Sequence, residues 1–169
     1  MIQSPKFIAF SMALPIMALL GLTIGKKLVT QMGREVTLEI SGYDPRDLLA
    51  GHYLIYTIDY RTDSICDSSQ NLETTTYVCP DERRSSQHLP TNCSYFIKGT
   101  CRGLQFNAGI EKFYIPENLA ARLEKLVQNK KGSVVLSVLS NGQAQVKQLL
   151  IEGKPWNEFI ESERESIQK

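Results

Sequence analysis

The stretch PRDLLAGHYLIYTIDY, Pro45 to Tyr60, with Ser41 and Asp44 just ahead of it, holds the residue types that nucleophilic catalysis uses. His52 would be the base, Asp44, Asp47 or Asp59 the group that orients it, and Ser41 the nucleophile it activates. A triad is defined by the geometry of its members, and a serine eleven positions from one of the chain's two histidines supplies none. Each residue also has a structural use. Pro45 and Gly51 shape a turn, Arg46 pairs with a neighbouring carboxylate, and the aromatic and branched residues from Tyr53 to Tyr60 build a strand. The residues favour this second reading.

The four cysteines, Cys66, Cys79, Cys93 and Cys101, are the other group with chemistry of its own. Their spacing, Cys-x12-Cys-x13-Cys-x7-Cys, lacks the Cys-x2-Cys knuckle of structural zinc sites. Even with His52 or His88 as a further ligand, no metal is expected, and no cofactor either. An even number of cysteines crowded into one loop-rich part of the chain is the pattern of a disulfide framework made in an oxidising compartment. Sequence leaves all three pairings open. In one of them Cys93 and Cys101 staple adjacent strands while Cys66 and Cys79 close the preceding loop. Asn92, in the triplet NCS, also fits a glycosylation sequon.

The elements that must position these residues begin with an uncharged run, FIAFSMALPIMALLGLTIG, Phe7 to Gly25. As a helix it would be roughly 28 Å long, enough to cross a bilayer, with Lys6 on one side and Lys26 and Lys27 on the other reaching for headgroups. Thr23 and Gly25 make a poor cleavage site, so an uncleaved signal anchor is expected over a removed signal peptide. Lys26, Lys27 and Arg34 by themselves would argue for a cytoplasmic body. The cysteines outweigh them, and the expectation is a single-pass inner-membrane protein with its folded domain on the periplasmic or extracytoplasmic side.

Beyond the anchor, Val36, Leu38 and Ile40 alternate with Glu35, Thr37 and Glu39, the period of a half-buried strand. HYLIYTIDY reads as the next strand. The polar stretch 61–93 reads as a long stapled loop in which only TTTYVC looks strand-like. CSYFIKGTCRGLQF and GIEKFYIPE are two more strands. In PENLAARLEKLVQN the period changes, placing Leu119, Leu123, Leu126 and Val127 on one helical face behind Pro116 and Glu117. Asn141-Gly142 between two apolar runs signals a hairpin. The tail WNEFIESERESIQK is either a short charged helix or a frayed end. The expected fold is α+β: a single amino-terminal transmembrane helix, then one mostly antiparallel β domain with one packed helix. Its boundaries are 1–33 for cytoplasmic tip, anchor and linker, 34–156 for the α+β domain with the cysteine-bearing loop 61–93, and 157–169 for a charged tail.

Taken in order, these segments resemble the GDYXXLXY-motif family of uncharacterised bacterial membrane-anchored proteins. The resemblance rests on Asp44-Pro45-Arg46-Asp47-Leu48, on Gly51 and Tyr53, on GIEKFYIPE with Glu111, Tyr114, Pro116 and Glu117, and on GKPW ending at Trp156. The cysteine-bearing middle finds no counterpart in it. The motif's Asp is His52 here, its Leu is Tyr56 and its last Tyr is Ile58, with Tyr60 on the same strand side as Ile58. A role for the acidic side chain therefore does not transfer. The resemblance implies a domain held at a membrane and working beside another membrane protein.

The charge balance supports no nucleic-acid partner, since 19 Lys and Arg against 18 Asp and Glu give a net charge of +1 with no basic cluster. The expected function is an exported, bilayer-anchored interaction or assembly module of a membrane protein complex, with no catalytic residues. The alternative is a membrane-anchored hydrolase, since DPRDLLAGHYLIY and YFIKGTCRG loosely look like boxes of signal peptidases. Lys98 would be the base, in the desolvated surroundings such a lysine needs. The residue at the serine position is Tyr43, so the nucleophile is missing.

Overall fold

The structure, a computed structural model, describes residues 13–23, 25, 32–41, 53–67 and 73–167. The chain divides into two units, Met1–Gly33 and Arg34–Lys169.

In the first unit residues 13–23 form a helix, α1, whose side chains are exposed. The eleven described residues of this helix extend about 17 Å at 1.5 Å each. Among the described residues no helix is long and apolar enough to cross a membrane. This corrects the transmembrane helix expected over Phe7 to Gly25, of which residues 7–12 and 24 lie outside the described residues.

The described residues of the second unit form three sheets, and every strand pair in them is antiparallel. Strand β1 (Arg34–Ser41) buries Leu38 and Ile40 and exposes Glu35, Thr37 and Glu39, following the alternation of its sequence. It pairs with β9 (Gly132–Val138), Leu38 opposite Val134 and Val36 opposite Leu136. Strand β9 continues through the Asn141-Gly142 turn into β10 (Ala144–Ile151). Gly142 holds a φ of 82°, and a Cβ there would lie 2.4 Å from the Phe96 ring, so the turn needs its glycine twice over. Strands β3 (Thr57–Ile58) and β11 (Lys154–Pro155) complete a five-stranded sheet in the order β11-β10-β9-β1-β3.

The stretch HYLIYTIDY, expected as one strand, is two. Strand β2 (Tyr53–Ile55) pairs with β8 (Lys112–Tyr114), whereas β3 pairs with β1. The inward alternation runs through the switch, since Leu54, Tyr56, Ile58 and Tyr60 are all buried. A four-stranded sheet, β5-β4-β6-β7, fills the cysteine-bearing region with β4 (Thr74–Cys79), β5 (Arg84–Ser86), β6 (Ile97–Arg102) and β7 (Gln105–Asn107). The expected 61–93 loop therefore holds a second strand, β5, which forms a hairpin with TTTYVC.

Cys66 bridges Cys101 and Cys79 bridges Cys93, with Cα–Cα separations of 5.6 and 6.1 Å inside the range disulfides require. The alternative of Cys93 with Cys101 and Cys66 with Cys79 is excluded by strand direction. Because β4 and β6 run antiparallel, Thr74 lies opposite Cys101 and Val78 opposite Ile97. The end of β4, with Cys79, thus meets the approach to β6, with Cys93, and the loop ahead of β4, with Cys66, meets the far end of β6. The bridges are nested.

Among the described residues two helices pack on this unit, where one was expected. Helix α2 (Glu117–Leu126), followed by a wider turn over Val127–Lys131, buries Leu123 and Val127 and leans Leu119 and Leu126 on the core. Helix α3 (Trp156–Ile167) takes up the tail and buries Phe159 and Ile160, so the tail is part of the domain. Arg122 of α2 forms an ion pair with Glu163 of α3.

Candidate functional site

Where β3 and the segment after it face β7 there is a cleft of about 450 Å³, within the range of ligand-binding pockets. One wall is the motif strand, from Ile55 through Ile58 to Tyr60; the second is Leu104 to Phe106; Thr62 to Cys66 close a third side. Each wall has a local cause. The period-2 alternation turns Tyr56 and Tyr60 inward, and the two-residue turn at Gly103, whose φ is 58°, folds β7 back along β6. The Cys66–Cys101 bridge ties the loop 62–66 to that hairpin.

The polar groups of the cleft converge on Glu111. Its Oε1 accepts the Ala108 N–H at 2.7 Å and the Tyr60 hydroxyl at 3.4 Å, and its carbonyl accepts the Tyr56 N–H at 3.1 Å. The Tyr56 hydroxyl donates to the Ile110 carbonyl at 2.8 Å, the partner a buried phenol needs. Burial first, and the adjacent Glu111 carboxylate second, push the Tyr56 and Tyr60 phenols well above the ordinary phenol value; for Tyr60 the hydrogen bond to Glu111 adds to this. Both remain protonated donors at neutral pH. The rings of Tyr60 and Phe106 meet edge to face, 5.1 Å apart at 88°.

The residues singled out in the sequence fall in different places. Glu111 lines the cleft. Tyr53 and Tyr114 face each other across the β2–β8 ladder, with hydroxyls 3.0 Å apart and Tyr114 69% exposed, outside it. Pro116 caps α2 and Glu117 begins it, and both are exposed. Asp44, Pro45, Arg46, Asp47, Gly51, His52 and Tyr43 lie outside the described residues. Lys98 is exposed on β6, so the desolvated surroundings a lysine base requires are not there. His88 is exposed as well. Among the described residues no cluster of histidine, cysteine or carboxylate side chains could hold a metal ion. Sequence reasoning passed over Phe106, Thr62, Ser64 and Leu104. The continued alternation from Leu54 to Tyr60 was the one available signal for the motif-strand wall.

Fold and cleft together define the class: an antiparallel β domain, stapled by two disulfides, with a cleft beside the stretch from Ile55 to Tyr60. A family model described as GDYXXLXY protein matches residues 15–149, and the chain belongs to that family. The matched range runs through the cysteine-bearing stretch as well. No curated protein and no solved structure gives a significant match. The two bridges point to an oxidising, extracytoplasmic compartment.

Proposed function

We propose that this protein is an extracytoplasmic binding module, periplasmic in a Gram-negative cell, whose cleft takes a segment of a partner protein and whose role is assembly. The observation that carries the reading is the cleft itself, whose size and mostly apolar walls suit an inserted side chain and its neighbours. Among its polar groups the phenols of Tyr56 and Tyr60 and the Glu111 carboxylate are held by hydrogen bonds, an arrangement suited to orienting a guest. A second, shallower cleft adjoins it and shares Ser64, Ile65, Cys66 and Leu104, which extends the surface as an elongated segment would require. Leu104, 76% exposed at the junction, is an apolar contact without cover.

The test is photo-crosslinking in cells that make the full chain. A crosslinking residue at position 104 should give a discrete adduct, the same residue at exposed position 154 should not, and Thr57→Trp, which fills the mouth from an exposed strand position, should abolish the first. Equal adducts at both positions, or one indifferent to Thr57→Trp, would overturn the reading. The hydrolase alternative requires instead that Lys98→Ala or His52→Ala abolish activity in a folded protein.

A further inference from the structure

We infer that the cleft recognises a basic side chain, so that the bound segment presents a lysine or arginine to Glu111. This rests on the proposed binding role and names what is bound. The charge of the lining is one-sided: of its fourteen residues, Asp63 and Glu111 are acidic and none is Lys, Arg or His. Among the described residues Glu111 forms no ion pair, and its two side-chain hydrogen bonds both go to Oε1. The second oxygen is left to accept from a guest. Among the described residues no group of carboxylate, histidine or cysteine side chains could hold a metal ion. An anion would find no positive charge there.

The aromatic walls point the same way. The perpendicular Tyr60 and Phe106 rings form a corner, and a cation placed against a ring face gains attraction from its quadrupole, more so where water is partly excluded. Ile58 and Ile65 give the methylene stem of a basic side chain an apolar wall to lie along. Asp63, exposed among the lining residues, adds a weaker, screened attraction. Tyr60 ties carboxylate and ring together, because its hydroxyl donates to the same Glu111 oxygen that Ala108 fixes.

The experiment titrates the full chain, with disulfides intact, with Nα-acetyl-lysine methylamide and with its uncharged norleucine counterpart, following backbone amides by NMR. The lysine compound should shift the amides of Phe106, Ala108 and Glu111 and saturate in the millimolar range, and the norleucine compound should leave them in place. Glu111→Gln keeps a carbonyl oxygen for the Ala108 N–H while removing the charge, and it should weaken lysine binding about tenfold or more. Asp63→Asn should weaken it only about two- to threefold. A preserved amide spectrum in the free Glu111→Gln protein shows that it is folded. Equal binding of the two compounds, an unchanged Kd in folded Glu111→Gln, or no shift at the cleft would overturn the inference. Should that happen while the position-104 adduct persists, the binding role stands and only its cationic guest is wrong.

Discussion

The two larger sheets of the second unit are held by different means. In the five-stranded sheet Leu38, Ile40, Val134, Leu136, Leu149 and Ile151 are buried from end to end, and no cysteine lies in it. The four-stranded sheet buries Val78 and Ile97 among its aliphatic residues and carries both disulfides. A sheet that buries little is marginal on its own, and cross-links that restrict the unfolded chain offset the deficit. The two sheets share one apolar core, in which Val78 and Ile97 pack with Leu38, Val134 and Leu136, and polar contacts add to it: the Lys98 N–H donates to the Gly142 carbonyl at 2.8 Å, and Arg34 reaches the Ser94 carbonyl at 3.1 Å while lying over the Tyr95 ring. The aliphatic sheet supplies stability, and the stapled sheet supplies one wall of the cleft.

Reduction tests that division hardest. In the chain-entropy model the inner bridge, with 14 residues of separation, contributes about 3 kcal/mol. The outer one, separated by 35 residues but shortened by the inner link, contributes about as much. Reducing both should cost about 6 kcal/mol, and amides of β4 to β7 should lose hydrogen-exchange protection well before those of β9 and β10. Simultaneous loss across both sheets would mean that they unfold as one unit and that the comparison fails.

Leu136→Ala comes next. It removes a side chain with no exposed surface from the centre of β9, and its cost in urea unfolding should be about 2 to 5 kcal/mol. The loss should lower protection in both sheets, because the stapled sheet leans on the other. Protection lost in β9 and β10 alone would show the stapled sheet to be self-supporting.

The smallest effect belongs to the phenols at the seam. Their raised values mean that above about pH 10 the unfolded chain releases protons that folded Tyr56 and Tyr60 retain. Their stabilising contribution is complete below that pH and falls as the pH rises further, by about 1.4 kcal/mol per unit for each phenol. Urea titrations between pH 9 and 11.5 should show a shallower decline for the Tyr56→Phe, Tyr60→Phe double variant than for the parent. Identical slopes would mean that these hydroxyls are not protected from ionisation in the folded domain.

The sequence by itself determined the features governed by local period and turn chemistry. The alternation of β1, the helical face of Leu123 and Val127 and the Asn141-Gly142 hairpin are legible because each depends on neighbours within a few residues, and the use of the cysteines in disulfides is legible from their even number and their spacing without a metal knuckle. Tertiary structure decided what depends on distant partners. HYLIYTIDY splits between two sheets because β8 competes with β1 for its backbone hydrogen bonds. The cysteines pair in nested order because β4 and β6 run antiparallel, a fact that no spacing between cysteines contains. The tail becomes a packed helix because Phe159 and Ile160 find apolar cover. An uncharged run at the amino end suggested a span, yet apolar composition does not fix helix length, and the described helix is too short to cross a membrane. The cleft is the clearest case, since Glu111 lies 51 residues from Tyr60, and only the folding of both sheets brings that carboxylate to the phenol.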